Sequence, residues 1–78
     1  MSSHTLGAEM VANVHTVFVA VGDTVTPDTE VVLLESMKME IPVLAEVDGV
    51  VREIAVAPGD SIQEGDVIAV IEEVDRDE

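Results

Sequence analysis

"AEMVANVHTVFVAVGDTV" (Ala8 to Val25) and "AEVDGVVREIAVAPGDSI" (Ala45 to Ile62) stand 37 positions apart and carry one pattern. Ala8, Glu9, Val14, Val19, Ala20, Gly22 and Asp23 coincide with Ala45, Glu46, Val51, Val56, Ala57, Gly59 and Asp60. Farther on, Glu35 coincides with Glu72. Conservative pairs such as Val17 with Ile54 and Leu33 with Val70 fill the gaps. Alternation in "TVFVAV" and "VREIAV", punctuated by Gly22-Asp23 and Pro58-Gly59-Asp60, is the period-two signal of half-buried strands. The unbroken runs "VVLL" (Val31 to Leu34) and "VIAVI" (Val67 to Ile71) suit strands buried on both faces. No segment sustains a helical period.

Each half therefore reads as four strands. Neither can bury its apolar faces alone, but pairing them about a pseudo-twofold axis closes one core. The expected fold is all-β, a flattened sandwich or barrel. The segment "SMKMEIP" joins the halves, which puts Lys38 in the turn between the last strand of the first half and the first strand of the second. Both chain ends should then lie at the opposite end of the molecule. The domain is expected over residues 8–73. The polar opening "MSSHTLG" (residues 1–7) and the acidic tail of residues 74–78 lack alternation and are expected to be poorly ordered.

Composition narrows the function. With 78 residues there is room for one domain. Aliphatic side chains dominate the 47% hydrophobic fraction and Phe18 is the sole aromatic, as a valine-rich β-core requires. Without cysteine there is no disulfide or thiolate metal site, and a reducing, cytoplasmic setting fits. No apolar stretch approaches the roughly 18 residues of a membrane span. The net charge of −14, with only Lys38, Arg52 and Arg76 positive, rules out the basic patch that nucleic-acid binding needs. His4 and His15 stand at no ligand or general-base spacing, "GDS" and "GDT" form no nucleophile elbow, and no metal set is apparent.

What remains is the only lysine. Turns favour Gly, Asn, Asp, Pro and Ser for backbone reasons, and "MK" has none of them. Side chains flanking a hairpin tip cannot all point inward, so Met37 and Met39 offer polarisable, adaptable surface beside Lys38. With Met37-Lys38 as the central turn residues, Glu35 faces Glu40, a destabilising like-charge pair. Either the turn is centred one residue later or the repulsion is tolerated.

"ESMKME" (Glu35 to Glu40), followed by "DGVVREIAVAPGDSIQEGDVIAVIE", resembles the biotinyl domain of biotin-dependent carboxylases and decarboxylases: the biotin carboxyl carrier family, within the biotin/lipoyl attachment domains. The resemblance covers about Ala8 to Glu73, and Gly22, Gly49, Gly59 and Gly65 match the family's turn glycines. It implies a barrel-sandwich hybrid of two four-stranded antiparallel sheets with the lysine hairpin at one end. It also implies biotin in amide linkage on Lys38, flanked by Met37 and Met39, with Glu35, Ser36 and Glu40 completing the recognised segment. The implied partners are biotin protein ligase (holocarboxylase synthetase) and biotin carboxylase and carboxyltransferase subunits, the domain being a non-catalytic carrier. Ser36 replaces the common alanine, "VANV" lacks the usual Pro-Gly, and Asp28 stands where the second half has Gly65, so that turn should differ. Neither a protruding thumb nor a Pro/Ala-rich docking extension is present. The other readings are a lipoyl carrier, which usually has an acidic residue before its lysine and a small one after, and an unmodified acidic interaction module.

Overall fold

The computed structural model describes residues 2–74, and every one of its elements is a strand. β1 (Ser2–Gly7), β2 (Ala12–Val17), β3 (Thr24–Val25) and β4 (Glu30–Ser36) make the first half. β5 (Met39–Leu44), β6 (Gly49–Ile54), β7 (Ser61–Ile62) and β8 (Val67–Glu73) make the second. Each strand of the second half starts and ends 37 residues after its counterpart, so the repeat in sequence is a repeat in structure. One antiparallel sheet has the order β1-β8-β6-β3 and the other β5-β4-β2-β7. Exchanging the two halves converts either order into the other. Each sheet thus mixes strands from both halves, and neither half could close the core by itself.

Local chemistry explains the turns. Gly22 and Gly59 take φ of 100° and 95°, a region open to glycine at no steric cost. The following carboxylates close the same turns, Asp23 accepting from the Ala20 N–H and Asp60 from the Ala57 N–H, both at 2.9 Å. The second pair of turns differs as the sequence leads one to expect. Gly65 sits at φ 93° with Asp66 accepting from the Gln63 N–H at 2.8 Å. Asp28 does not enter the positive-φ region, and the Thr29 hydroxyl takes over as acceptor for the Thr26 N–H at 2.9 Å.

The core runs along the interface of the two sheets, through Leu6, Val14, Val25, Val31, Val32, Leu34, Val51, Ile62, Ile68 and Ile71. The runs "VVLL" and "VIAVI" lie on β4 and β8, which have a neighbour on either side, yet they are not buried on both faces: Leu33 and Val70 are only half-buried. The continuity comes from β-bulges. Register shifts between Glu30 and Val32, and between Leu6 and Gly7, leave Val31 and Ile68 as extra residues, so that two successive side chains turn inward on each strand.

The opening segment departs from the sequence expectation. Ser2 to Gly7 form β1, paired along β8 from Ser2↔Glu73 to Gly7↔Val67. Only His4 and Leu6 of this strand turn towards the interior, which is too little alternation to signal a strand; its pairing energy comes from β8, more than sixty residues away. Of the tail, Val74 still donates its N–H to the Asp48 carbonyl at 3.0 Å, and residues 75–78 lie outside the described residues. β5 leads away from the 37–38 turn towards Ala45 and Glu46, and the Glu46 carboxylate lies 3.0 Å from the His4 ring. The chain ends are therefore at the far end from Lys38.

Candidate functional site

β4 and β5 are joined by Met37 and Lys38 alone, with Ser36 opposite Met39 and Glu35 opposite Glu40. The turn is thus centred on Met37-Lys38, and the Glu35–Glu40 repulsion is tolerated on two exposed side chains. Met37 has φ 53° and Lys38 φ 67°. Positive φ at both central residues is the two-residue hairpin turn that matches the twist of the flanking strands, and it normally selects Asn-Gly. An L-residue with a β-carbon pays roughly 1–2 kcal/mol to stand there. The tight two-sheet body imposes the conformation on residues ill suited to it.

The strain has a geometrical result. Lys38 is exposed, and among the described residues its Nζ has no hydrogen-bond or ion-pair partner. Met37 and Met39 are 88% and 58% exposed, so neither belongs to the core. Ser36 is the residue that fastens the tip: its Oγ donates to the Val11 carbonyl at 3.1 Å, tying the hairpin to the β1–β2 connection. Beside the lysine is a shallow hollow of ≈ 340 Å³ lined by Val11, Ala12, Asn13, Glu35, Ser36, Met37, Lys38 and Ser61. Asn13 and Ser61 are joined at its wall by a 3.0 Å hydrogen bond from the Ser61 hydroxyl to the Asn13 side-chain carbonyl. Sequence reasoning singled out Glu35 to Glu40 and missed Val11, Asn13 and Ser61. They come from β2, β7 and the loop before β2, and only the pairing Asn13↔Glu35 and Asn13↔Ser61 brings them to the tip.

Relieving the strain should be measurable. Asn tolerates left-handed φ far better than Met, so Met37→Asn should raise the unfolding free energy by about 0.5–1 kcal/mol in urea titration. A loss of stability would show instead that the exposed Met37 side chain holds part of the fold.

Nothing at this end can act as an acid–base or metal centre: among the described residues no group of three or more His, Asp or Glu side chains could hold a metal ion. No helix there is long and apolar enough to cross a membrane. What the tip does present is one exposed primary amine between two exposed thioethers. A family model described as "Biotin-requiring enzyme" matches residues 1–71.

The chain belongs to the biotin/lipoyl attachment domain family.

It is 58% identical over 64 residues to the "Biotinylated protein TB7.3 homolog" of Mycobacterium leprae, a match covering 82% of this chain and 90% of that one. It is 44% identical over 64 residues to the "Biotin/lipoyl attachment protein" of Bacillus subtilis, covering 82% and 88%. Among solved structures it superposes on the urea carboxylase of Kluyveromyces lactis with TM-score 0.85 and 33% identity, over 92% of this chain but 6% of that one. The attachment domain is thus related to carrier domains of carboxylases, and its two four-stranded antiparallel sheets are the fold those domains share.

Proposed function

We propose that this attachment domain is a biotin carboxyl carrier, bearing biotin in amide linkage on Lys38 and moving it between a biotin carboxylase and a carboxyltransferase or decarboxylase. The observation that carries the reading is the unpartnered Lys38 amine on a strained turn, with Met37 and Met39 exposed at either side. These residues fit the group: an amide needs a primary amine that an acyl donor can approach, and Lys38 is the only lysine in the chain. The methionines, in place of an acidic residue before the lysine and a small one after it, favour biotin over lipoate.

Biotin so linked supplies a ureido nitrogen that takes up and releases CO₂. The rest is asked of this chain's own residues. Lys38 Nζ, giving up a proton, attacks the biotin carboxyl carbon that a biotin protein ligase has activated as the mixed anhydride with AMP. A C–N bond forms, the bond from that carbon to the phosphate oxygen breaks, and AMP leaves. The amide is uncharged, so the chain becomes one unit more negative than −14. The Ser36–Val11 hydrogen bond and the two-residue turn keep the root of the arm at a defined place, so that its far end can sample two partner sites while the body stays rigid. Loading and delivery of the carboxyl group belong to those partners. A cytoplasmic setting, where ATP is available to the ligase, suits the cysteine-free chain.

Mass spectrometry of the native chain tests the reading. A biotinyl adduct on the peptide containing Lys38 is expected. A lipoyl adduct would make the chain a lipoyl carrier, and a bare lysine an unmodified acidic interaction module.

A further inference from the structure

The internal repeat makes one end of the molecule a control for the other. Met10, Val11, Met37 and Met39 at the lysine end correspond, 37 residues on or back, to Val47, Asp48, Val74 and Ser2 at the far end. There Val47 packs against the core, Asp48 is a half-buried carboxylate whose carbonyl accepts the Val74 N–H, and Ser2 donates its hydroxyl to Glu73 at 3.0 Å. At the lysine end the same backbone positions hold apolar side chains in water: Met10 is 38% exposed, Val11 69%, Met37 88% and Met39 58%. The fold does not require this, because its own repeat does otherwise. Exposure of apolar groups at one end only is the mark of a surface that meets a partner.

Val11 decides which partner. It lines the same hollow as Met37 and Lys38, and its carbonyl is held by Ser36. A protein that acylates Lys38 must enclose Nζ itself, one lysine length from the turn, and so must cover what lies beside the turn. Enzymes that use the finished arm meet its far end and can stand off from this surface. Resting on the reading of Lys38 as the biotin site, we infer that Met10–Val11 is a second, discontinuous half of the surface by which the biotin protein ligase recognises this domain. The ligase face it fits is apolar at its centre, seated over Val11 and Met37. It is basic at its rim, opposite the exposed carboxylates Glu35 and Glu40.

The test compares ligation by a biotin protein ligase, with ATP and biotin, of the full chain and its variants. Val11→Asp copies the far end, and Val11→Thr keeps shape and charge while making the site polar. Val21→Asp changes an equally exposed apolar residue (63%) in the loop that leads to β3, whose Thr24 and Val25 pair with Val50 and Gly49 at the far end. For Val11→Asp, kcat/KM should fall about tenfold or more, and for Val11→Thr about threefold, as for a contact near an interface centre. Val21→Asp should stay at the wild-type value. Acylation of Lys38 by a small N-hydroxysuccinimide ester, which needs no recognition surface, should be the same in all four proteins. Ligation of both Val11 variants at the wild-type kcat/KM would overturn the inference, and so would an equal fall in their reactivity towards the ester. If the wild-type chain itself were not biotinylated, the assignment of Lys38 would fail first.

Discussion

Lys38→Arg is expected to abolish biotin incorporation completely while leaving the fold untouched. The guanidinium keeps the positive charge at the tip, and arginine tolerates φ 67° no worse than lysine does, so the turn keeps its strain and the hairpin its register. The side chain is exposed and, among the described residues, partnerless, so no packing or ion pair is lost. The urea midpoint should match the wild type. The delocalised, permanently charged guanidinium is a very poor nucleophile towards an activated carboxyl group. With no second lysine in the chain, nothing else can take over. A streptavidin blot of cells making this variant together with ligase should be blank, and a persistent signal would move the attachment site elsewhere.

The largest structural effect is expected from Gly49→Ala. Gly49 opens β6 and pairs with Glu73 of β8 and with Val25 of β3. A β-carbon built there would run into the Glu72 backbone carbonyl oxygen and come within 2.8 Å of Ile71 Cγ2. Ile71 is fully buried and β8 is held on both sides by β1 and β6, so neither obstacle can step aside cheaply. Overpacking of this kind costs about 3 kcal/mol, which for a domain this small, with a urea m-value of about 1 kcal/mol/M, moves the midpoint by roughly 3 M. Its repeat mate Ala12 does carry a β-carbon. The difference follows from what each neighbouring strand does next. β8 continues past Glu73 so that Val74 bonds to Asp48, holding the far end closed, whereas β4 turns away into the Met37-Lys38 hairpin. A loss below about 1 kcal/mol would mean that the β6–β8 spacing relaxes instead.

Much of the architecture was legible because the chain says the same thing twice. Alternation in "TVFVAV" and "VREIAV" and the Gly-Asp turns specify strands and their breaks locally, and a repeat of four strands that cannot close by itself leaves a symmetric pairing of halves as the way to bury both. β1 escaped notice because its own residues barely alternate, although carrying the 37-residue offset back from Met39–Leu44 would have pointed to Ser2–Gly7. The apolar runs on β4 and β8 misled in a smaller way: a bulge, invisible in composition, puts two neighbours on one face.

By itself the sequence determined the strand count, the all-β class, the junction position of Lys38 and the Met-Lys-Met segment, since all of these follow from local period and internal repetition. Only the tertiary structure decided the centring of the turn on two left-handed residues. It alone brought Val11, Asn13 and Ser61 beside the lysine and left Met10 and Val11 in water while their counterparts at the other end are tucked in or polar. The physical reason is that periodicity reports which face a side chain takes within its own strand. What lies across the gap depends on cross-strand register and on bulges, and these are set by the closing of two sheets over one core.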